Sequence, residues 1–269
     1  MNLVFAAAIL AMSFGANKAA MPEKDDLRIM PVVKTPESST VVLKIAIPAE
    51  GTVLRSNPVW IQFRIDGYAL GTNSQFARAD EIVGTDMGQT IHVVIDNEPY
   101  FPVNEPAIDP FNEEGFYYDT SYKFEIPYRL SEGLHVVRMF PARSFGEALK
   151  GENTFFATYF YVGSQKKNPG LNINGPYLTY NEPSDQLPLS AGKPVLLDFY
   201  LTNCELSSDG YKVKVTIDGK NRRTLTSWQP YYIYGLGRGR HKVRLQLIDQ
   251  DDAVVPGDFN DVQRTIIIR

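Results

Sequence analysis

Three histidines, one cysteine and 31 acidic residues are the groups of this 269-residue chain that could do acid–base, nucleophilic or metal chemistry. Two of the histidines stand in matching surroundings. Leu130-Ser131-Glu132-Gly133-Leu134-His135-Val136-Val137-Arg138 returns as Leu236-Gly237-Arg238-Gly239-Arg240-His241-Lys242-Val243-Arg244, with Leu, Gly, His, Val and Arg in register. A repeated histidine invites a metal or catalytic reading, but alternation opposes it. Each histidine shares a strand face with apolar residues, Val137 and Met139 in one copy and Val243 and Leu245 in the other. Both imidazoles should therefore point toward a sheet interior, where each bonds a turn carbonyl and pins the preceding loop. His135, His241, Gly133 and Gly239 thus read as structural. Arg138 and Arg244 fall on the opposite faces, in solvent or beside a neighbouring strand's acid.

No hydrolase signature accompanies them. Gly-x-Ser-x-Gly, His-Glu-x-x-His and a phosphate-cradling glycine loop are all missing from the sequence. Cys204 is the single thiol, so it forms no internal disulfide, and it reads as a small semi-buried residue near a strand end. Asp249 and Asp251 have the spacing of the first two ligands of a calcium loop. The later positions are Ala253, Val254 and Asn260, so the stretch reads as a hydrated hairpin turn. No catalytic residue, metal or cofactor is predicted. Carboxylates are too numerous to dismiss a glycosidase-type pair by counting, which leaves a carboxylate-based hydrolase as a remote alternative.

The aromatic residues carry the functional signal. An insertion over residues 98–120 holds Tyr100, Phe101, Phe111, Phe116, Tyr117 and Tyr118 among prolines and acids. Long loops on rigid scaffolds are where recognition usually lives, and Tyr and Phe give contact area at low entropy cost. Tyr100, Phe101, Phe116, Tyr117, Tyr118 and Trp228 are the candidate binding residues. The bland alternative is that these rings fold the loop back on its own sheet as a small private core. The partner is expected to be an envelope or secreted protein, or else a polysaccharide stacked on exposed rings. A net charge of -4 lacks the basic stripe of a nucleic-acid binder.

These residues must be placed by strands. In Val59-Trp60-Ile61-Gln62-Phe63-Arg64-Ile65 the odd positions are apolar, and Val195, Leu197, Phe199 and Leu201 repeat that face. Ile91, Val93 and Ile95 align with Val213, Val215 and Ile217, and these strands end in Asp96-Asn97 and Asp218-Gly219, which suit tight turns. Helical signal is confined to 75–83. Short strands with turn signals and roughly 100 residues per copy imply an all-β chain of two tandem antiparallel immunoglobulin-like β-sandwiches.

The repeated Leu-x-x-Gly-x-His-x-Val-Arg block and the Ile-Asp-Gly type strand end resemble bacterial immunoglobulin-like and fibronectin-III-like domains of exported proteins of unknown function. That resemblance covers most of residues 40–269 and implies a fold, not an activity. The antibody-type Cys…Trp…Cys pattern is missing. The expected organisation is a signal peptide over 1–20, a flexible tether over 21–39, a first domain over 40–163 with the aromatic insertion, and a second over 171–269. The uncharged apolar run of residues 1–16 has the length of a signal-peptide core, although no Lys or Arg precedes it. Export to the periplasm, cell surface or medium follows, with no later membrane span.

Overall fold

A computed structural model describes residues 27–37, 39–104 and 121–269. The signal peptide, Phe111, Phe116, Tyr117 and Tyr118 lie outside the described residues. The described elements begin with β1 (Arg28–Pro31), then β2 (Val42–Ile47), β3 (Val53–Leu54), β4 (Trp60–Asp66), the short helix α1 (Arg78–Glu81), β5 (Thr90–Ile95), β6 (Phe101–Val103), β7 (Ser121–Glu125), β8 (Gly133–Ala142) and β9 (Phe156–Val162). The second half contains β10 (Tyr177–Glu182), β11 (Val195–Thr202), β12 (Lys212–Ile217), β13 (Lys220–Leu225), β14 (Tyr231–Tyr234), β15 (Gly239–Ile248) and β16 (Asp261–Ile268).

These strands make two sandwiches. In the first, sheet β2-β4-β7 faces sheet β3-β9-β8-β5-β6. In the second, β1-β14-β11-β10 faces β13-β12-β15-β16. Named pairings are antiparallel except β3 on β9. The alternation in β4 places Ile61, Phe63 and Ile65 in the first core and leaves Trp60 on the surface. Val213, Val215 and Ile217 of β12 do the same in the second core. Each large apolar side chain fully buried in this way contributes about 1.5–3 kcal/mol.

The tether expectation needs correction at Arg28–Pro31. This segment is strand β1, paired antiparallel with β14 on the edge of the second sandwich. It is held because Ile29 alternates inward among the apolar residues of that core. The described part of the chain therefore starts on the second sandwich, and by β2 it has crossed to the first. It returns through the glycine-bracketed stretch around 163–170.

The two sandwiches also share a third buried layer. Strands β5, β10 and β11 are buried along both faces, apart from the last residue of β11, and β8 nearly so. On β5 and β8, Ile91, Val93, Val137 and Met139 face their own core. Val94 and Phe140 point the other way and meet Tyr200 of β11. Val136 joins Tyr177 and Phe259, and Phe145 joins Leu196 and Tyr232. The outer face of the five-stranded sheet is thus pressed against the outer face of β1-β14-β11-β10, giving a four-layer stack.

Candidate functional site

The two histidines sit in one construction made twice. Asp96 follows β5 and Asp218 follows β12, both with positive φ, 50° and 52°. That backbone turns each carboxylate back onto the next strand. Asp96 Oδ1 accepts the Val136 N–H at 2.8 Å, and Asp96 Oδ2 lies 2.7 Å from His135 Nδ1. The other ring nitrogen of His135 is 3.0 Å from the Ser131 carbonyl. In the second sandwich Asp218 meets Lys242 N–H at 2.8 Å and His241 Nδ1 at 2.7 Å, and His241 Nε2 is 2.8 Å from Gly237 O.

Both nitrogens of each ring face oxygen acceptors, so neither nitrogen is free for a metal. For His135, burial works against the charge, but the Asp96 bond, the Ser131 carbonyl and the Asp96 charge outweigh it and raise the pKa. Asp218 is held below the usual carboxylate range. Its slight burial pushes upward and is overcome by the bonds from His241 and Lys242. Gly133 and Gly239 precede these histidines with φ of 122° and 126°, a conformation that favours glycine.

Tyr100 does not project outward as a binding residue. Its ring stacks on His92 with centroids 3.7 Å apart, and its phenol donates a 2.6 Å hydrogen bond to Glu182 of the second sandwich. An amphipathic ring beside an apolar seam is drawn in because the seam supplies an acceptor for its hydroxyl. Phe101 is half-buried, edge-on to Phe124 and Tyr128. Trp228 is also committed to the body. Its indole N–H donates to Phe199 O at 2.9 Å, and its ring packs edge-on to Tyr200. Phe116, Tyr117 and Tyr118 lie outside the described residues.

The groups with acid–base capacity that the sequence reading missed lie in the seam. His92 Nδ1 is 2.7 Å from Asn181 Oδ1, and Asn181 Nδ2 donates to Gly146 O and to Asp198, each at 2.7 Å. Asp198 also accepts from Ala148 N at 3.0 Å and Lys150 Nζ at 2.5 Å. Glu182 further accepts the Ser184 N–H at 2.7 Å. Burial lowers the His92 pKa to about 3, against the Asn181 bond, and raises that of Glu182 to about 8, against the bonds from Tyr100 and Ser184. Both are therefore neutral or largely so at pH 7. The cavity beside Glu182, about 10 Å³, has room for no more than a water. Gly146 makes this closeness possible, since a Cβ there would stand 2.6 Å from Leu187.

Arg138 corrects a further expectation. It is not solvated but 1% exposed, donating to Leu178 O and Thr179 Oγ1 across the seam and lying 3.9 Å from the Phe259 ring centroid. Burial brings its pKa down to about 9. Arg244 does pair with a neighbouring strand's acid, Asp261, at 2.5–2.6 Å. In the turn after β15, Asp249 Oδ1 accepts the N–H groups of Asp251 and Ala253, so this carboxylate organises its own hairpin.

Open grooves lie elsewhere among the described residues. One of about 640 Å³ runs between residues 31–36 and the Phe76, Arg78 and Tyr232 side chains. Within it Arg78 lies 3.1 Å from Glu147, and Tyr232 donates to Glu81 at 2.7 Å. Another, of about 320 Å³, is walled by Tyr159 and Tyr161 of β9 and by Asn168, Asn172 and Asn174 of the inter-sandwich segment. Tyr159 and Tyr161 stand opposite Val136 and Leu134 on β8, and so share the sheet face that forms the seam. The outward parity of these tyrosines in Phe156–Val162 was the sequence signal available for them.

No family model matches the chain, and no curated protein matches it. Among solved structures it is similar to the fibronectin(III)-like modules of Clostridium thermocellum CbhA, at 11% identity and a TM-score of 0.29, over 85% of this chain and 94% of that one. It is also similar to SGBP-B of the Bacteroides ovatus mixed-linkage glucan utilization locus, solved with a mixed-linkage heptasaccharide. That match has 16% identity and a TM-score of 0.20, over 84% of this chain and 47% of the other. This chain thus spans about half the length of SGBP-B. Likeness of this degree says nothing about function, and the fold assignment rests on the sheets themselves.

Proposed function

We propose that this protein is an exported, non-enzymatic binding module of the bacterial envelope or periplasm, engaging a protein partner through the loops of its first sandwich. The observation that carries this reading is the seam. Among the described residues, His92, Glu182, Asp198 and Glu147 are buried acid–base groups, each at most 3% exposed and each hydrogen-bonded within the protein. Groups so placed hold two sandwiches together and reach no substrate. A rigid double sandwich is a platform, and recognition on platforms resides in loops. The insertion after Asn104 leaves from β6, at the edge of one sheet, and re-enters at β7, at the edge of the facing sheet. Export is supported by the N-terminal apolar run. Among the described residues no helix is long and apolar enough to cross a membrane.

The test is a variant in which residues 105–120 are replaced by a short Gly-Ser turn, sparing Tyr100 and Phe101. Unchanged melting with lost capture of a partner from the native envelope fraction is the expected result. Full retention of capture would show that the insertion is not the contact surface. Polysaccharide is the second reading, favoured by the Tyr159–Tyr161 groove.

A further inference from the structure

We infer that the groove between β9 and the inter-sandwich segment is a saccharide-binding site, formed by Tyr159, Tyr161, Asn168, Asn172, Asn174 and Lys167. This rests on the reading of the protein as a binding module and adds a site and a ligand class to it.

The groove exists because the seam does not cover its own sheet completely. The face of the five-stranded sheet that meets the second sandwich continues onto β9, where Tyr159 and Tyr161 carry it. There the cover is not a sheet but the segment around 167–174, which leaves the groove of about 320 Å³ between loop and tyrosines. That is at the lower end of ligand clefts, about 300–1,000 Å³. Both rings are half-buried, with centroids 6.1 Å apart and planes at 87°. Crossed rings of this kind can place one under the C–H face of a pyranose while the other abuts its edge. They present no single flat plane, which favours a soluble chain over a crystalline surface.

The amide groups supply the polar half. Asn168 Oδ1 accepts the Gly170 N–H at 3.1 Å and Asn172 Oδ1 accepts the Asn174 N–H at 2.9 Å. These bonds fix the two carboxamides by their oxygens. Their NH2 groups, the Asn174 carboxamide and the hydroxyls of Tyr159 and Tyr161 make no hydrogen bond among the described residues. Pre-positioned amides beside an aromatic wall match the two sides of a sugar, hydroxyls at the edge and C–H groups on the face. Lys167 adds one cation at the rim, and no carboxylate lines the groove. The two flanking acids that glycosidic cleavage uses are thus not in the lining, and the site holds a sugar without cutting it. The ring-and-amide chemistry is shared by neutral and uronate-bearing chains.

The experiment is affinity electrophoresis of the full chain through gels containing a neutral β-glucan, a galactomannan, alginate or polygalacturonate, followed by calorimetry on any polymer that retards it. Retardation by at least one polymer is expected, with a loss of at least tenfold in affinity for Tyr161→Ala and for Tyr159→Ala at unchanged melting temperature. Tyr159→Phe should keep most of the affinity because it keeps the ring. Lys167→Ala separates the sources: it weakens binding of a uronate chain more than binding of a neutral one. No retardation by any of the four polymers, or alanine variants that bind like the wild type, overturns the site. If Tyr159→Ala destabilises the fold, Tyr161→Ala and the asparagine pair Asn168→Ala and Asn172→Ala decide it. The 105–120 replacement is run alongside: if it loses partner capture while no glycan binds, the binding-module reading stands and the saccharide site falls.

Discussion

Tyr100 of the first sandwich donates a 2.6 Å hydrogen bond to Glu182 of the second, and the acceptor is fully buried. A residue that reads as a surface contact is therefore a clasp between sandwiches. Tyr100→Phe removes the donor and keeps the ring on His92, so it should cost about 1–3 kcal/mol by leaving a buried acceptor one bond short. Urea denaturation checks this, and partner or glycan binding should be unaffected.

Glu182 gives the seam a pH dependence. Burial raises its folded pKa from 4.5 to about 8. The folded state holds the proton more tightly than the unfolded chain, so its contribution is fully present below about pH 4.5 and is lost as pH rises toward 8. His135 acts in the same direction over a higher window, since its folded pKa is raised above 6.5. His92 works the other way below about pH 6.5, because burial lowers its folded pKa to about 3. Melting temperature should therefore fall between about pH 6.5 and 8, and Glu182→Gln should flatten that slope. A slope identical in the variant would remove Glu182 as its source.

The paired aspartate–histidine pins differ in exposure, and that sets their worth. The His135 and Asp96 side chains are 5% and 24% exposed, those of His241 and Asp218 16% and 43%. His135→Ala should cost about 1–3 kcal/mol, and His241→Ala under about 1 kcal/mol. Chemical denaturation of the two variants side by side measures the difference, and equal losses would contradict it.

The buried third layer should make the sandwiches unfold together. Calorimetry of the intact chain is expected to give one transition. Phe140→Ala opens a cavity against Tyr200 and Phe155 and should cost about 3–5 kcal/mol, separating the transition into two. Two transitions in the wild type would mean that the seam does not couple them.

Cys204 is half-buried, and desolvation pushes its thiol up to about 11. Little thiolate exists at pH 8, so alkylation of the native protein should be several-fold slower than of the urea-unfolded chain. Equal rates would contradict this environment.

Much of the fold was legible because β structure writes itself locally. Val59, Ile61, Phe63 and Ile65 alternate with polar neighbours, and the same period fixes which side of β12 is inside. The doubled Leu-Gly-His-Val-Arg block marked two copies, and the inward parity of the histidines left only their Asp96 and Asp218 partners to be found. A period of two reports one buried face. It carries no information about a second cover that arrives from a distant part of the chain. Asp198 inside Val195–Thr202 was the available hint, since a carboxylate in an apolar run must find partners when buried. What only the tertiary structure decided is the seam and everything it reassigns: Tyr100 and Arg138 turned inward, Ile29 recruited into a strand, and Tyr159 and Tyr161 left along an uncovered margin. Those outcomes depend on which two sheet faces meet, and that is a property of shape and packing over more than a hundred residues, not of any local pattern.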